Sequence, residues 1–137
     1  MRARWQLIGD TFDGVRTSEK IVALTFDDGP TREWTGAILA TLARERVRAT
    51  FFLARHERTN VFWDVEVDAY GRHADSPARY AAAVVAAVRG GSVVPMHPMC
   101  DSGQATRDAL PGVILGLRDR GFEFLTVSEL MQRQLTR

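Results

Sequence analysis

The sequence contains a single cysteine, Cys100, so the chain cannot form a disulfide bond within itself. A long hydrophobic run is also missing, because the longest one, residues 80–88, is enclosed by two arginines and is far too short to span a bilayer. The first ten residues carry positive charge without the apolar stretch of a signal peptide. From the chain as it stands we therefore expect a cytoplasmic protein with no membrane span.

An excess of charge of one sign is equally absent. The 18 basic and 17 acidic residues give a formal net charge of +1, and no dense basic segment occurs. This balance gives no electrostatic reason to expect binding to nucleic acid or to an anionic membrane. Hydrophobic residues make up 45% of the 137 positions, which is enough for an ordinary core, so we expect one domain spanning residues 1–137.

The hydrophobic pattern predicts strands that alternate with helices, which is typical of an α/β fold with a mostly parallel sheet of about five strands flanked by helices. A complete (β/α)8 barrel typically requires about 250 residues, so this chain is too short to close one. The predicted strands are 20–26, 48–53, 61–67, 92–96 and 122–126, and the predicted helices are 34–46, 77–89, 106–120 and 127–134.

Polar residues follow the predicted strands at the positions where parallel α/β folds collect their ligands. Asp27 and Asp28 follow the first strand, His56 lies soon after the second, Asp68 follows the third and His97 follows the fourth. Carboxylate and imidazole side chains are the groups that commonly catalyse hydrolysis. A simpler interpretation stays open at this point, because Asp-Gly-Pro is also common turn chemistry and Asp28 could merely accept hydrogen bonds from loop amides.

Residues 25–30 read Thr-Phe-Asp-Asp-Gly-Pro, which is the same as the first motif of the NodB-type polysaccharide deacetylases, carbohydrate esterase family 4. Residues 49–53 resemble the second strand of that family, and residues 93–97 resemble its Leu-x-His motif. Residues 109–130 resemble the closing helix, strand and helix. The resemblance covers nearly the whole chain and implies a partial, shortened NodB-type β/α barrel.

The resemblance also implies roles for three residues. Asp27 corresponds to the general base, Asp28 to a metal ligand, and His97 to the general acid. The implied substrate is an N-acetylated or O-acetylated carbohydrate, and the implied cofactor is a divalent metal, zinc or else cobalt or nickel. A metal of this kind polarises the acetyl carbonyl and activates a water molecule, while base and acid transfer protons.

Two motifs of that family are missing from the sequence. The chain has three histidines and no His-x-x-x-His pair, and it has no Arg-Pro-Pro segment. Only residues 54–60 separate the second and third predicted strands, so the chain resembles a family member without its central block. His56 is the best substitute metal ligand, although an exposed loop is the more common setting for such a histidine. Catalytic zinc generally needs three protein ligands.

The resemblance also implies a carboxylate that tunes the acid, and by position Asp68 is favoured over Asp64 and Glu66 as its counterpart. Other assignments rest on position alone. Trp63 and Tyr70 are candidates for stacking on a sugar ring, although aromatic residues at strand ends are more often part of the core. The sequence Met-His-Pro-Met-Cys at 96–100 would suit a soft metal such as Cu(I), although its first methionine fits the core better.

Two functional hypotheses follow from the intact and missing motifs. The first is a metal-dependent carbohydrate deacetylase, impaired or rebuilt where the metal motif is missing. The second is an inactive deacetylase-like module that binds carbohydrate or another partner. A barrel that stays open exposes strand edges and apolar surface, so we also expect a homo-oligomer.

Overall fold

A computed structural model of the protein describes residues 11–53, 60–61, 63–67 and 76–135. Six strands and four α-helices occur in this part of the chain. The strands are β1 (Thr11–Phe12), β2 (Ile21–Gly29), β3 (Thr50–Leu53), β4 (Asn60–Val61), β5 (Ser92–Met96) and β6 (Glu123–Phe124). The helices are α1 (Thr35–Glu45), α2 (Pro77–Ala87), α3 (Gln104–Asp119) and α4 (Val127–Leu135), and a short 3-10 turn (Asp101–Gly103) precedes α3.

Strand β2 forms the centre of a four-stranded sheet in which every pairing is parallel. Strand β5 pairs with it from Val22 to Phe26. Strands β3 and β6 share the opposite side, where β6 pairs at Ile21 and β3 pairs from Thr25 onward. Strands β1 and β4 form a separate parallel pair. The predicted α/β class and mostly parallel sheet are therefore confirmed, in the shortened form that the sequence indicated.

The predicted third strand, residues 61–67, is wrong over residues 63–67, which form no strand in the structure. Its alternating apolar side chains do not share one face, because Val65 joins the larger core cluster whereas Val61 and Trp63 pack against the smaller one. The reason lies in Asp64, whose carboxylate accepts hydrogen bonds from the backbone N–H of Val93 at 2.8 Å and from a serine hydroxyl at 3.0 Å. The segment thus meets β5 through a side chain rather than through a backbone ladder.

Other predicted bounds need smaller corrections. Strand β2 continues to Gly29 instead of stopping at Phe26, because β3 pairs with it at that position. Helix α3 begins at Gln104, two residues before the predicted start, and continues through Pro111. The predicted last strand shrinks to Glu123–Phe124, since β6 has only the first residues of β2 as partners.

The core lies on both faces of β2, as the alternation of side chains along a strand requires. Val22, Leu24 and Phe26 point into the larger cluster with α1, α2 and α3. Ile21 and Ala23 point into the smaller cluster, which β1 and α4 complete. None of the helices in the described ranges has the length and hydrophobicity that crossing a membrane would require.

Candidate functional site

The carboxyl ends of β2 and β5 lie side by side, and their register determines which residues meet there. Phe26 pairs with Met96 in the parallel ladder, so the next residues of both strands are neighbours at the edge of the sheet. These residues are Asp27 and His97, and the Asp27 Oδ2 to His97 Nε2 distance is 3.4 Å. About a quarter of the Asp27 side chain and a third of the His97 side chain are exposed (25% and 32%). The pair is therefore accessible from solvent.

The electrostatic surroundings of His97 favour its protonated form. The hydrogen bond to Asp27 raises the pKa of His97 above its ordinary value, and partial burial opposes this only in part. The negative charges of Asp27 and Asp28 raise the pKa further, with a smaller contribution from Cys100. The imidazole of His97 therefore keeps its proton to a higher pH than that of a free histidine, and it can act as a proton donor over a wider pH range.

Asp28 occupies a special backbone position next to this pair. Its φ angle of +66° lies in the left-handed region, which aspartate tolerates better than most residues. Its side chain is exposed, and it is close enough to His97 to influence the pKa of the imidazole. The two aspartates near the carboxyl end of β2 therefore differ in environment, because Asp27 contacts the histidine and the Asp28 side chain is exposed to solvent.

A metal site is not complete in the described part of the chain. No group of three His, Cys, Asp or Glu side chains converges there, whereas catalytic zinc generally takes three protein ligands. The described residues on their own therefore do not fit a catalytic metal. His56 lies outside the described residues, so a zinc, cobalt or nickel ion held by Asp28 and His56 stays a prediction. Met96 is fully buried in the core, which removes it from a soft-metal cluster.

Asp64 and its neighbours Trp63 and Glu66 make contacts near the amino end of β5, whereas Asp27 and His97 meet at its carboxyl end. Asp64 binds the first residues of β5, roughly 13 Å along the strand from His97 at about 3.3 Å per residue. Glu66 accepts a hydrogen bond from the Trp63 indole at 3.3 Å, and that indole packs against the smaller core cluster. The structure thus places Trp63 at the amino end of β5 rather than beside His97.

Two further predicted site residues, Asp68 and Tyr70, lie outside the described residues. Their assignments as the tuning carboxylate and as a sugar-stacking ring stay predictions.

The loop after His97 contains contacts that the sequence gave no reason to expect. Met99 is buried, and its sulfur accepts a hydrogen bond from the Thr35 hydroxyl at 3.4 Å. Arg107 donates from Nη1 to the carbonyl oxygens of Pro98 at 2.7 Å and Cys100 at 2.6 Å. No local pattern predicts such contacts, because Arg107 lies on a helix and its partners belong to a loop.

A surface groove of about 320 Å³ occurs elsewhere in the molecule, and it includes neither Asp27 nor His97. Three of its charged side chains form ion pairs, Arg48 with Glu129 and Arg133 with Glu19. The groove is lined by Arg48, Glu123, Leu125, Glu129, Gln132 and Arg133. The open edge of the sheet at Asp27 and His97 is therefore the better candidate for chemistry.

Sequence comparison connects this site with known proteins over part of the chain. A chitooligosaccharide deacetylase from Rhizobium leguminosarum bv. trifolii is 43% identical over 53 residues, which cover 39% of this chain and 25% of that protein. The peptidoglycan-N-acetylglucosamine deacetylase PgdA from Listeria monocytogenes is 53% identical over 36 residues, which cover 26% of this chain and 8% of PgdA. The matched segments thus span a quarter or less of these curated relatives.

Structural comparison extends the likeness to most of the chain. A crystal structure of a peptidoglycan N-acetylglucosamine deacetylase matches with a TM-score of 0.75 at 22% identity, covering 90% of this chain and 93% of that chain. A pseudoenzyme of carbohydrate esterase family 4 from Bacillus anthracis matches with a TM-score of 0.73 at 17% identity, covering 88% of this chain and 68% of that chain. At these identities the likeness establishes the fold alone.

The family model described as polysaccharide deacetylase matches residues 14–82, which is half of the chain. The match includes Asp27 and Asp28 and ends before His97, whose place beside Asp27 comes from the structure. Motif, fold and model agree, and the chain belongs to the polysaccharide deacetylase family.

Proposed function

We propose that the protein hydrolyses the acetamide group of an N-acetylated carbohydrate, with Asp27 as the base and His97 as the acid. The observation that carries this proposal is the 3.4 Å contact between the two side chains at the open carboxyl edge of the sheet. Family membership supports the reaction class. The relatives support the substrate class, because two of them are named for chitooligosaccharide and for peptidoglycan N-acetylglucosamine.

The proposed reaction assigns one proton transfer to each residue. Asp27 removes a proton from a water molecule while the water oxygen bonds to the acetyl carbon. The carbon–nitrogen bond then breaks, and His97 gives its proton to the departing amine. The products are acetate and a free amino sugar. The raised pKa of His97 supports the acid role, because the imidazole keeps its proton to a higher pH than a free histidine does.

The pair is open to substrate and water. Both side chains are partly exposed at the carboxyl edge of the sheet, so a water molecule can hydrogen-bond Asp27 while the acetamide nitrogen approaches His97.

We assign no step to a metal ion, because the described residues supply no group of three ligands. Metal dependence, with Asp28 and His56 as ligands, is a separate proposal. Elemental analysis of the purified protein tests it directly, with Asp28→Ala as the comparison. Stoichiometric zinc, cobalt or nickel that disappears in Asp28→Ala is the expected result, and a folded protein without metal would refute this proposal.

Acetate release from N-acetylglucosamine oligomers tests the proposed activity. The wild-type protein is expected to release acetate, and Asp27→Asn should lower the rate by roughly 10² to 10⁴ because the water loses its base. Asp119→Asn, at the exposed end of α3, is the matched control and should keep the wild-type rate. A wild-type rate equal to that of Asp27→Asn, with and without added metal, would refute the activity.

A second candidate function is carbohydrate binding without turnover. The observation that favours it is the absence of any His-x-x-x-His pair from the sequence, whose histidines are at 56, 73 and 97. Titration calorimetry with the same oligomers separates the two functions. Binding without acetate release under every metal condition would establish the binding module in place of the hydrolase.

A further inference from the structure

We propose that Arg107 is a positioning residue that holds residues 97–103, the His97 loop, against residues 27–34, the Asp27 loop, through Trp34. The proposal deepens the hydrolase assignment above and rests on it for the catalytic consequence. The contacts of Arg107 do not depend on that activity. Arg107 binds both loops, and its partners in the described part of the chain include neither Asp27 nor His97.

On one side, Arg107 fixes the backbone that follows His97. A single guanidinium nitrogen donates to the carbonyl oxygens of Pro98 at 2.7 Å and Cys100 at 2.6 Å. These carbonyls belong to the first and third residues after His97. Hydrogen bonds from a charged donor are stronger than those between neutral groups, and two of them on one short loop restrict its path.

On the other side, the same guanidinium lies over the indole of Trp34, with 3.7 Å between Cζ and the ring centroid. A guanidinium over the face of an indole is held there by electrostatic attraction to the ring. Trp34 immediately precedes α1, and its backbone N–H donates to the hydroxyl of Thr31 at 3.3 Å. Thr31 is the second residue after β2, so the stack reaches the segment that follows the strand end carrying Asp27.

The two loops are packed closely, so a change at Arg107 would shift one loop against the other. Met99 lies against Gly29, where an added Cβ would come within 3.3 Å of the methionine side chain. At the start of α3, a Cβ on Gly103 would lie 2.5 Å from the backbone oxygen of His97. The His97 loop is therefore held between α3 and the Asp27 loop, and Arg107 is the side chain that connects all three.

Arg107→Lys is the most direct test, because lysine keeps the charge but loses the planar group that stacks and donates to two carbonyls. We expect kcat for acetate release to fall by about tenfold while KM stays within about twofold, as a small misplacement of a catalytic group would cause. The pKa of His97, followed by NMR of its ring protons, is expected to move down towards its ordinary value. This readout does not depend on turnover.

Arg118→Lys is the matched control on the same helix, since Arg118 also donates to a backbone carbonyl, that of Glu45. It should change neither the pKa of His97 nor kcat. Trp34→Leu removes the ring and should reproduce both effects of Arg107→Lys, whereas Trp34→Phe keeps an aromatic face and should show smaller ones.

An unchanged His97 pKa and an unchanged kcat in folded Arg107→Lys would overturn the positioning role. If the wild-type protein releases no acetate, the proposed activity fails, and the His97 titration alone then decides the role of Arg107. A pKa that falls in Arg107→Lys but not in Arg118→Lys would still support that role.

Discussion

At the scale of single residues, the contact between Asp27 and His97 links the candidate chemistry to protonation. The carboxylate is the main reason why the pKa of His97 is raised, and the charge of Asp28 adds to the effect. A raised pKa means that the folded protein binds the imidazole proton more tightly than the unfolded chain does. The contact therefore stabilises the fold only while His97 is protonated.

The stability of the protein should depend on pH through this histidine. The stabilisation is fully present below the unfolded-state pKa, about 6.5, and is lost as the pH rises through the higher folded-state pKa. Urea unfolding of the wild-type protein and His97→Gln at pH 5.5 and pH 9 measures the effect. The difference in free energy of unfolding between the two should be larger at pH 5.5. An equal or larger difference at pH 9 would contradict this assignment.

The site residues differ in how far the sequence could identify them. Asp27, Asp28 and His97 follow predicted strands and match family motifs, so the pattern alone selected them. Their contact depends on the register of β2 and β5, which periodicity does not determine. Arg107 could not be selected, because its role depends on the path of a nearby loop and on the ring of Trp34, which is far from it in the sequence.

At the scale of elements, strand β5 is held at both ends by side chains from other segments. At its amino end Asp64 accepts the N–H of Val93 and the hydroxyl of Ser92, and it pairs with Arg89 at 2.8 Å. At its carboxyl end the loop is bound by Arg107. The position of His97 therefore depends on contacts along the whole strand.

Removing the amino-end contact should lower stability. Asp64→Ala leaves the buried Val93 N–H without its acceptor, which should cost about 1 to 3 kcal/mol in free energy of unfolding. Glu66→Ala is the control two residues away; Glu66 is exposed, and its loss should change the value by less than about 0.5 kcal/mol. Denaturant unfolding measures both. Equal effects of the two substitutions would show that the Asp64 contact does not stabilise β5.

The turn that leads into β5 needs glycine at position 91. Its φ angle is +82°, and a Cβ there would lie 1.8 Å from the backbone oxygen of Val15. Gly91→Ala should therefore cost about 2 kcal/mol or more in free energy of unfolding. Gly36→Ala, in α1 with no atom within 4 Å of the new Cβ, should instead raise stability by up to about 1 kcal/mol. Two thermal unfolding curves that coincide would refute this contrast.

The elements show where sequence patterns succeed and where they do not. Strand β5 was predicted with its observed bounds, because a compact apolar segment after Gly90-Gly91 has few alternatives. Residues 63–67 were wrongly predicted as strand, because their alternation suits a half-buried strand and equally suits an irregular segment whose side chains pack into two clusters. The period of the apolar residues cannot show that the Val93 N–H bonds to the Asp64 carboxylate instead of to the backbone of a neighbouring strand.

At the scale of the whole molecule, the four-stranded sheet has edge strands that can pair with another chain. Among the described strands, β3 pairs with β2 alone, and strand edges of this kind promote pairing with other chains. Two large apolar side chains, Leu39 and Leu115, are half exposed (50% each) on the described surface.

We therefore expect the protein to form a homo-oligomer. Size-exclusion chromatography with light scattering over a range of concentrations measures its mass. A mass of two or more chains is the expected result, and a monodisperse species of 15.3 kDa at every concentration would contradict it.

The central claim is that Asp27 and His97 act as one catalytic unit, and a double-mutant cycle on acetate release tests it most directly. The rates of the wild-type protein, Asp27→Asn, His97→Gln and the double variant are measured on N-acetylglucosamine oligomers at one pH. Each single variant should lose roughly 10² to 10⁴ in rate, and the double variant should be about as slow as the slower single one. Single variants that keep the wild-type rate, or losses that multiply in the double variant, would contradict the claim.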